Sequence, residues 1–471
     1  MSISQKILVL AGVVANGLLW AIPSDVVELI ARDRQTLLGR YSRTHFSWIL
    51  GVLIVTLIAF YVGLGGDRAR RKLRAFRVAA VALTVVPMTC ALDLASRYFI
   101  PAYYIKETLA YHRPPNQTLR GLYEDVPEAA RTYPVVPAGY GKVPYTLQTD
   151  ERGFRNRSDA QRYDVVTLGD SFTEGSRVSD EHPWPVRFAE KSGLTVYNLG
   201  MSGYAPQHYL ASLKEVGLSL EPRWVLCLLY EENDFRSAKM ITKPRRRMDK
   251  FFKRSPLLYL LDHLIVKTLS PVNAHGDVNG VEVLSWLPLA VPGGPDPNYY
   301  TFAPTLIVDL YVTEAELKAN KRWHAVTGNL SEIHALCRQA GAELIIVHAP
   351  SKAHVLLPLV RDRLDAEKVR AFTALRAKRE LPPPKQFLDE MFERLDTKES
   401  AVADWCRREG ITFISLTQPL RREVANARQV YLTYDDHWTP VGHEVVATVI
   451  HDRWREIAGR PAGTTRPTDA P

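Results

Sequence analysis

At 471 residues, with 46% hydrophobic and 24% charged side chains, the chain can bury full cores in two or three structural units, which excludes a disordered protein. The formal net charge of +9 at pH 7 is local: residues 66–77 supply five of those charges, so nucleic-acid binding is not indicated. Four cysteines, with neither CxxC nor a Cys/His metal spacing, exclude a disulfide framework and imply no metal site.

Three long apolar segments open the chain: ILVLAGVVANGLLWAI (7–22), FSWILGVLIVTLIAFYVGL (46–64) and VAAVALTVVPMTCAL (78–92). The second runs without a charge over about 20 residues, a bilayer's thickness of helix. The first follows Lys6 like a signal peptide, but no small-x-small cleavage site follows, and a retained helix is the preferred reading. The third contains Pro87 and meets Asp93 early, which leaves a buried hairpin helix as its alternative. GDRARRKLRAFR (66–77), between the second and third segments, is expected to stay in the cytoplasm. Residues 1–100 then read as a membrane region of three spans, with the lipid bilayer as partner and everything after about residue 100 on the extracytoplasmic, periplasmic side of the cell membrane.

Residues 101–160 are turn-rich, with strand-like pieces TYPVVPA (132–138) and PYTLQTDERGFRN (144–156), and read as a stalk that ends by packing on the next domain. From 161 to 459 short apolar runs alternate with stretches of helical period. Strands are expected at 163–169, 194–200, 223–230, 342–349 and 411–416, and helices at 182–193, 206–218, 313–340, 386–409 and 439–458. Strands that are apolar throughout, separated by amphipathic helices, imply an α/β doubly wound parallel sheet covered on both faces. Insertions at 236–312 and 351–388 have the length of lids or binding surfaces. The basic run KPRRRMDKFFKR (243–254) reads as a solvated loop, or as a surface for membrane or an anionic polymer. Residues 460–471 read as a disordered tail.

Function in such a fold gathers at the carboxyl ends of the strands. GDSFTEG (169–175) places Ser171 directly after the first strand, where a sharp turn exposes its hydroxyl. NLGMSGY (198–204) ends the second strand, and Gly200 there allows backbone N–H groups to approach a developing oxyanion. YEENDF (230–235) ends the third, with Asn233 as a side-chain amide donor. TYDDHWTPVGHEVV (433–446) precedes the last helix: His437 is placed to take a proton from Ser171, and Asp435 to orient its imidazole. His443 reads as a packing or capping histidine. Each block taken singly is ordinary loop chemistry.

Taken together and in this order, the blocks resemble the SGNH hydrolase superfamily, the GDSL-like esterases and acyltransferases, over roughly residues 160 to 458. The resemblance implies a flavodoxin-like five-stranded sheet, Ser171 as nucleophile, Asp435 and His437 as triad partners, and an oxyanion hole from Ser171, Gly200 and Asn233, without a cofactor. Two departures stand out. The triad acid and base are spaced Asp-x-His rather than Asp-x-x-His, and Glu231 replaces the glycine of Gly-x-Asn-Asp. DxHWTPxGH is similar to alginate acetylation proteins, in which the Asp-His pair precedes the serine. The implied activity is an extracytoplasmic serine esterase or O-acetyltransferase acting on short acyl esters of a glycan, with an integral membrane acyltransferase as a possible acyl-donor partner. A non-catalytic glycan-binding module of an export system is the reading from another class.

Overall fold

The structure, a computed structural model, describes residues 2–22, 36–37, 41–99, 110–125, 139–157, 160, 162–240, 275–278, 281–284, 289–292, 297–301 and 303–459. These fall into two compact units, one of residues 2–99 and one of the described residues from 110 onward. TYPVVPA, the basic run 243–254 and the tail 460–471 lie outside the described residues.

Among the described residues the first unit holds a short antiparallel pairing of Thr36–Leu37 with Tyr41–Ser42 and three helices, α1 (Ile3–Ala21), α2 (Arg43–Gly63) and α3 (Arg68–Phe99). Each is long and apolar enough to cross a membrane. Ser2 and Gln5 close a reciprocal cap at the start of α1. α1 and α2 pack antiparallel: Gln5 Nε2 donates to Gly63 O at 3.1 Å, and Asn16 Nδ2 to Thr56 Oγ1 at 2.9 Å. A Cβ on Gly12 would lie 2.6 Å from Thr56 Cγ2, so the small residue sets how closely the two helices approach. α3 continues through Pro87 and leaves Leu83 and Met88 exposed, unlike a buried hairpin helix.

The second unit is built on a five-stranded parallel sheet. In chain order its elements begin with the hairpin β1 (Thr118–Glu124) and β2 (Lys142–Gln148). The sheet strands follow as β3 (Val165–Leu168), β4 (Val196–Asn198), β5 (Trp224–Tyr230), β6 (Glu343–Ala349) and β7 (Thr412–Ser415). Their spatial order is β4-β3-β5-β6-β7, with Trp224 of β5 in register with both Val165 and Glu343. Along β5, Leu226 and Leu228 face one core, and Val225, Cys227 and Leu229 face the other. Both faces are covered, which is why these strands are apolar throughout rather than alternating. The chain direction across the sheet reverses between β3 and β5, the crevice where ligands bind in open α/β sheets.

The short helices α4 (Ser171–Glu174), α5 (Trp184–Ser192), α6 (Pro206–Glu215) and α7 (Asn233–Ser237) follow the first three sheet strands. Next come α8 (Pro304–Leu310), α9 (Glu314–Ala319), α10 (Lys321–Gln339), α11 (Lys352–Leu356) and α12 (Ala366–Ala374). The chain closes with α13 (Pro384–Glu393), α14 (Thr397–Glu409), α15 (Thr417–Ala425) and α16 (Pro440–Ala458). The helix expected over 313–340 is broken at Asn320, which is extended and caps α10 with its side chain. The one expected over 386–409 divides between α13 and α14, and α15 was not expected. The described parts of both insertions join the core through Leu306, Ile307, Val355 and Phe372, rather than standing off as lids.

Residues 110–125 and 139–157 are likewise no separate stalk, because they share the sheet's compact unit and its buried charges. Arg113 Nε donates to Glu174 Oε1 at 2.5 Å with both side chains buried, and Arg155 Nε donates to Asp180 at 2.8 Å. Burial pushes the Glu174 carboxyl up, but Arg113, with Ser202 and Arg155, outweighs this and leaves it below its ordinary value. Arg113→Ala therefore strands a buried carboxylate and is expected to cost about 3–5 kcal/mol, with Glu174→Gln in the same chain restoring part of the loss. Denaturant unfolding followed by tryptophan fluorescence measures both; a loss below about 1 kcal/mol would mean the pair is surface-like.

Candidate active site

VVTL is buried on both faces and ends abruptly at Gly169, where a Cβ would lie 2.0 Å from Thr173 Oγ1. Asp170 caps the turn: its Oδ1 accepts from Phe172 N at 3.0 Å and its Oδ2 from Asn233 Nδ2 at 2.8 Å. Burial raises the Asp170 carboxyl to about 6, against the pull of those two donors. Ser171 thus opens α4 beside the switch point, and Gly175, at φ +79°, closes α4 in the left-handed conformation.

The last loop meets it from the other end of the chain. His437 Nε2 lies 2.7 Å from Ser171 Oγ, across 266 residues of sequence. His437 Nδ1 bonds Asp435 Oδ1, which also accepts the His437 backbone N–H at 2.9 Å. The spacing Asp-x-His works because the loop is a tight turn: Tyr431 bridges Trp438, and Leu432 N donates to His437 O at 3.0 Å. Trp438, fully buried, packs edge-on against Phe172 and fixes the loop against α4.

Four residues that sequence reasoning missed hold this loop. Asp125, buried at the end of the β1–β2 hairpin, accepts the backbone N–H groups of Thr433 (2.6 Å), Tyr434 (3.1 Å), Asp435 (3.2 Å) and Tyr140 (3.0 Å). Lys352 of α11 donates to Thr433 O at 2.7 Å and Asp435 O at 3.1 Å. Tyr123 Oη and Arg177 Nε each donate to Asp435 Oδ2 at 3.0 Å. Burial would raise the Asp435 carboxyl, but His437 and Arg177 overcome it and hold the group far below the usual carboxylate range. For His437 burial lowers the imidazole and Asp435 raises it by more, so the ring stays above its ordinary value, with Arg177 pulling it down. Burial raises the neighbouring Asp436 carboxyl against the attraction of Lys352. His443 accepts the backbone N–H of Trp184 at 3.3 Å, a packing and capping role.

The expected oxyanion donors separate. The Ser171 N–H makes no hydrogen bond among the described residues. Asn233 commits one Nδ2 hydrogen to Asp170 and keeps the other. Gly200 needs correction: its N–H donates to Asn198 Oδ1 at 2.8 Å, and a Cβ there would sit 2.5 Å from Glu174 N. A side chain there would collide with α4, so packing by itself already demands the glycine. Gly203, three residues on at φ +80°, has an N–H without a partner among the described residues. Glu231, in place of the expected glycine, does not disturb the loop: it lacks a positive φ, and its side chain turns away to accept Ser351 N at 2.8 Å. A cleft of about 410 Å3 beside α7, lined by Glu232, Arg236, Trp323 and Arg379 among others, contains none of the triad residues.

Residues 310–469 match the family described as SGNH hydrolase-like domain, acetyltransferase AlgX. Over that stretch the chain is similar to the SGNH hydrolase family, as the order of its blocks led us to expect. The matched stretch holds Asp435 and His437, and Ser171 lies upstream of it. The match supports an ester-hydrolase or O-acyltransferase kind of activity. No curated protein matches the chain. Among solved structures, a lipolytic protein of the G-D-S-L family from Desulfitobacterium hafniense is 11% identical, covers 61% of this chain and 97% of its own, and has a TM-score of 0.29. A GDSL-like lipase from Bacteroides thetaiotaomicron is 12% identical over 62% of this chain and 88% of its own, with a TM-score of 0.28. A lipase/acylhydrolase from Enterococcus faecalis is 12% identical over 64% and 98%, also with a TM-score of 0.28.

A histidine base must be neutral to accept a proton, so turnover is expected to fall as pH drops through a value above the ordinary histidine pKa of about 6.5. Arg177→Gln removes a positive charge that holds His437 down, so the acid limb of kcat/KM should move to higher pH. A limb that stays put or moves down would contradict this electrostatic reading.

Proposed function

We propose that the second unit is an extracytoplasmic acyl-transfer domain in which Ser171 is the nucleophile, His437 the general base and Asp435 its orienting acid. The observation that carries this is the 2.7 Å approach of His437 Nε2 to Ser171 Oγ, with Asp435 on the opposite ring nitrogen. Ser171 Oγ attacks the acyl carbonyl while His437 takes its proton, and Asp435 stabilises the imidazolium. The oxyanion accepts from Ser171 N–H and the second Asn233 Nδ2 hydrogen. His437 then gives its proton to the leaving alcohol, and the ester carbonyl remains on Ser171. In the second half-reaction an incoming hydroxyl, deprotonated by His437, releases the acyl group.

The incoming hydroxyl decides between esterase and transferase. An acetyltransferase family match favours a short acyl group. Three membrane-crossing helices suit an enzyme working on a membrane-associated polysaccharide, or receiving acyl groups from an integral membrane partner. Residues 66–77, kept in the cytoplasm by six Lys/Arg, would leave the domain after α3 on the outer, periplasmic side.

Spheroplasts carrying the full-length protein, given a membrane-impermeant acetyl ester with and without an added oligosaccharide, test these points together. Without lysis, acetate release or acetylated oligosaccharide is expected, and Ser171→Ala should lower both by about 10^4 or more. Turnover that survives Ser171→Ala would sink the catalytic assignment, and turnover that appears only after lysis would sink the orientation.

A further inference from the structure

Behind the loop that carries Asn233, a second group of chemically capable side chains is enclosed in the core. Glu231 follows β5, His348 lies on β6, His354 on α11, and Asp396 and Glu399 lie at the start of α14. Glu231, His348 and His354 are fully buried. The triad and the oxyanion donors use none of them.

His354 is satisfied as it stands: Nδ1 is 3.0 Å from Glu231 Oε1, and Nε2 is 2.7 Å from Asp396 Oδ1. His348 is not. Neither of its ring nitrogens has a hydrogen-bond partner, although the ring is completely enclosed. Its Nε2 faces two carboxylate oxygens, Glu231 Oε1 and Glu399 Oε2, each at 3.9 Å. That separation is too long for a hydrogen bond, and an orphaned ring in a dry core calls for an explanation. One donor atom from each of Glu231, His348 and His354 lies within 4.8 Å of the other two.

Two atoms bound tetrahedrally to one ion at about 2.1 Å lie about 3.4 Å apart. The separations of 3.0 Å and 3.9 Å about Glu231 Oε1 bracket that value. A core in which His354 merely bridges Glu231 and Asp396 accounts for one histidine and leaves the other unexplained. We propose that Glu231, His348 and His354 form a site for one divalent transition-metal ion of the zinc type, with water or Glu399 at the remaining position. Two imidazoles and a carboxylate are the donor set such an ion prefers. The ion would tie β5, β6 and α11 together on the side of the 231–233 loop away from Asp170. Entry would be from the Asp396 side, since that side chain is the exposed member of the group.

The test uses full-length protein in detergent, stripped with a chelator, equilibrated with zinc alone and freed of excess by gel filtration. About one zinc per chain is expected in the wild type by elemental analysis, little in His348→Gln or His354→Gln, and the wild-type amount in His451→Gln, which lies outside the cluster. Zinc-edge X-ray absorption of the wild type, which depends on no variant, should show a first shell of nitrogen and oxygen with imidazole scattering. No retained zinc, equal retention in the cluster variants, or a sulfur ligand from Cys227, Cys337 or Cys406 would each overturn the proposal.

Discussion

Asp435 and His437 are separated by one residue, so their side chains can meet only if the backbone between them is turned tightly and kept turned. The carboxylate of Asp125 imposes that turn. It draws three successive N–H groups, from Thr433 to Asp435, onto one buried charge, while Lys352 takes carbonyls of the same segment from the other direction. Hydrogen bonds to a charged group are stronger than neutral ones, and a buried charge left unmet is costly, so the loop has one favourable shape. The position of the imidazole opposite Ser171 follows from that shape.

The sheet supplies the other half of the geometry. Ser171 follows β3 and Asn233 follows β5, the neighbours between which the winding reverses, so their loops part and leave a crevice. Asp170 links the two directly through its bond to Asn233. Tyr209 Oη and Tyr230 N hold Asp234 in the same turn, at 2.6 Å and 2.7 Å. Buried polar contacts therefore tie the Asn233 turn to the Ser171 turn, on strands whose two faces are both packed. Arg177 and Tyr123 then set the charge of the relay from its rim.

The strands were legible in the sequence to within a residue or two because burial on both faces makes them unbroken apolar runs. Ser171 stood out from its place at a strand end, and Asp435 and His437 from theirs just before the last helix; the structure brings the three side chains together. Helix breaks were harder to see, since Asn320 interrupts an otherwise continuous helical period by capping the next helix. The Asp125, Tyr123 and Arg113 contributions were invisible: they come from a turn-rich segment with no periodic pattern, and only tertiary folding brings them to the site. Gly200 misled for a related reason. A glycine demanded by close packing on Thr173 and Glu174 reads in sequence like one demanded by a ligand.

Covalent trapping tests the account most directly. A fluorophosphonate reacts with a serine only where a neighbouring base and an oxyanion hole activate it, and peptide mapping then locates the adduct. Full-length wild-type protein is predicted to carry a single adduct, on Ser171, that His437→Gln prevents. A folded wild type that stays unlabelled, or is labelled at another serine, would contradict the Ser171–His437–Asp435 relay.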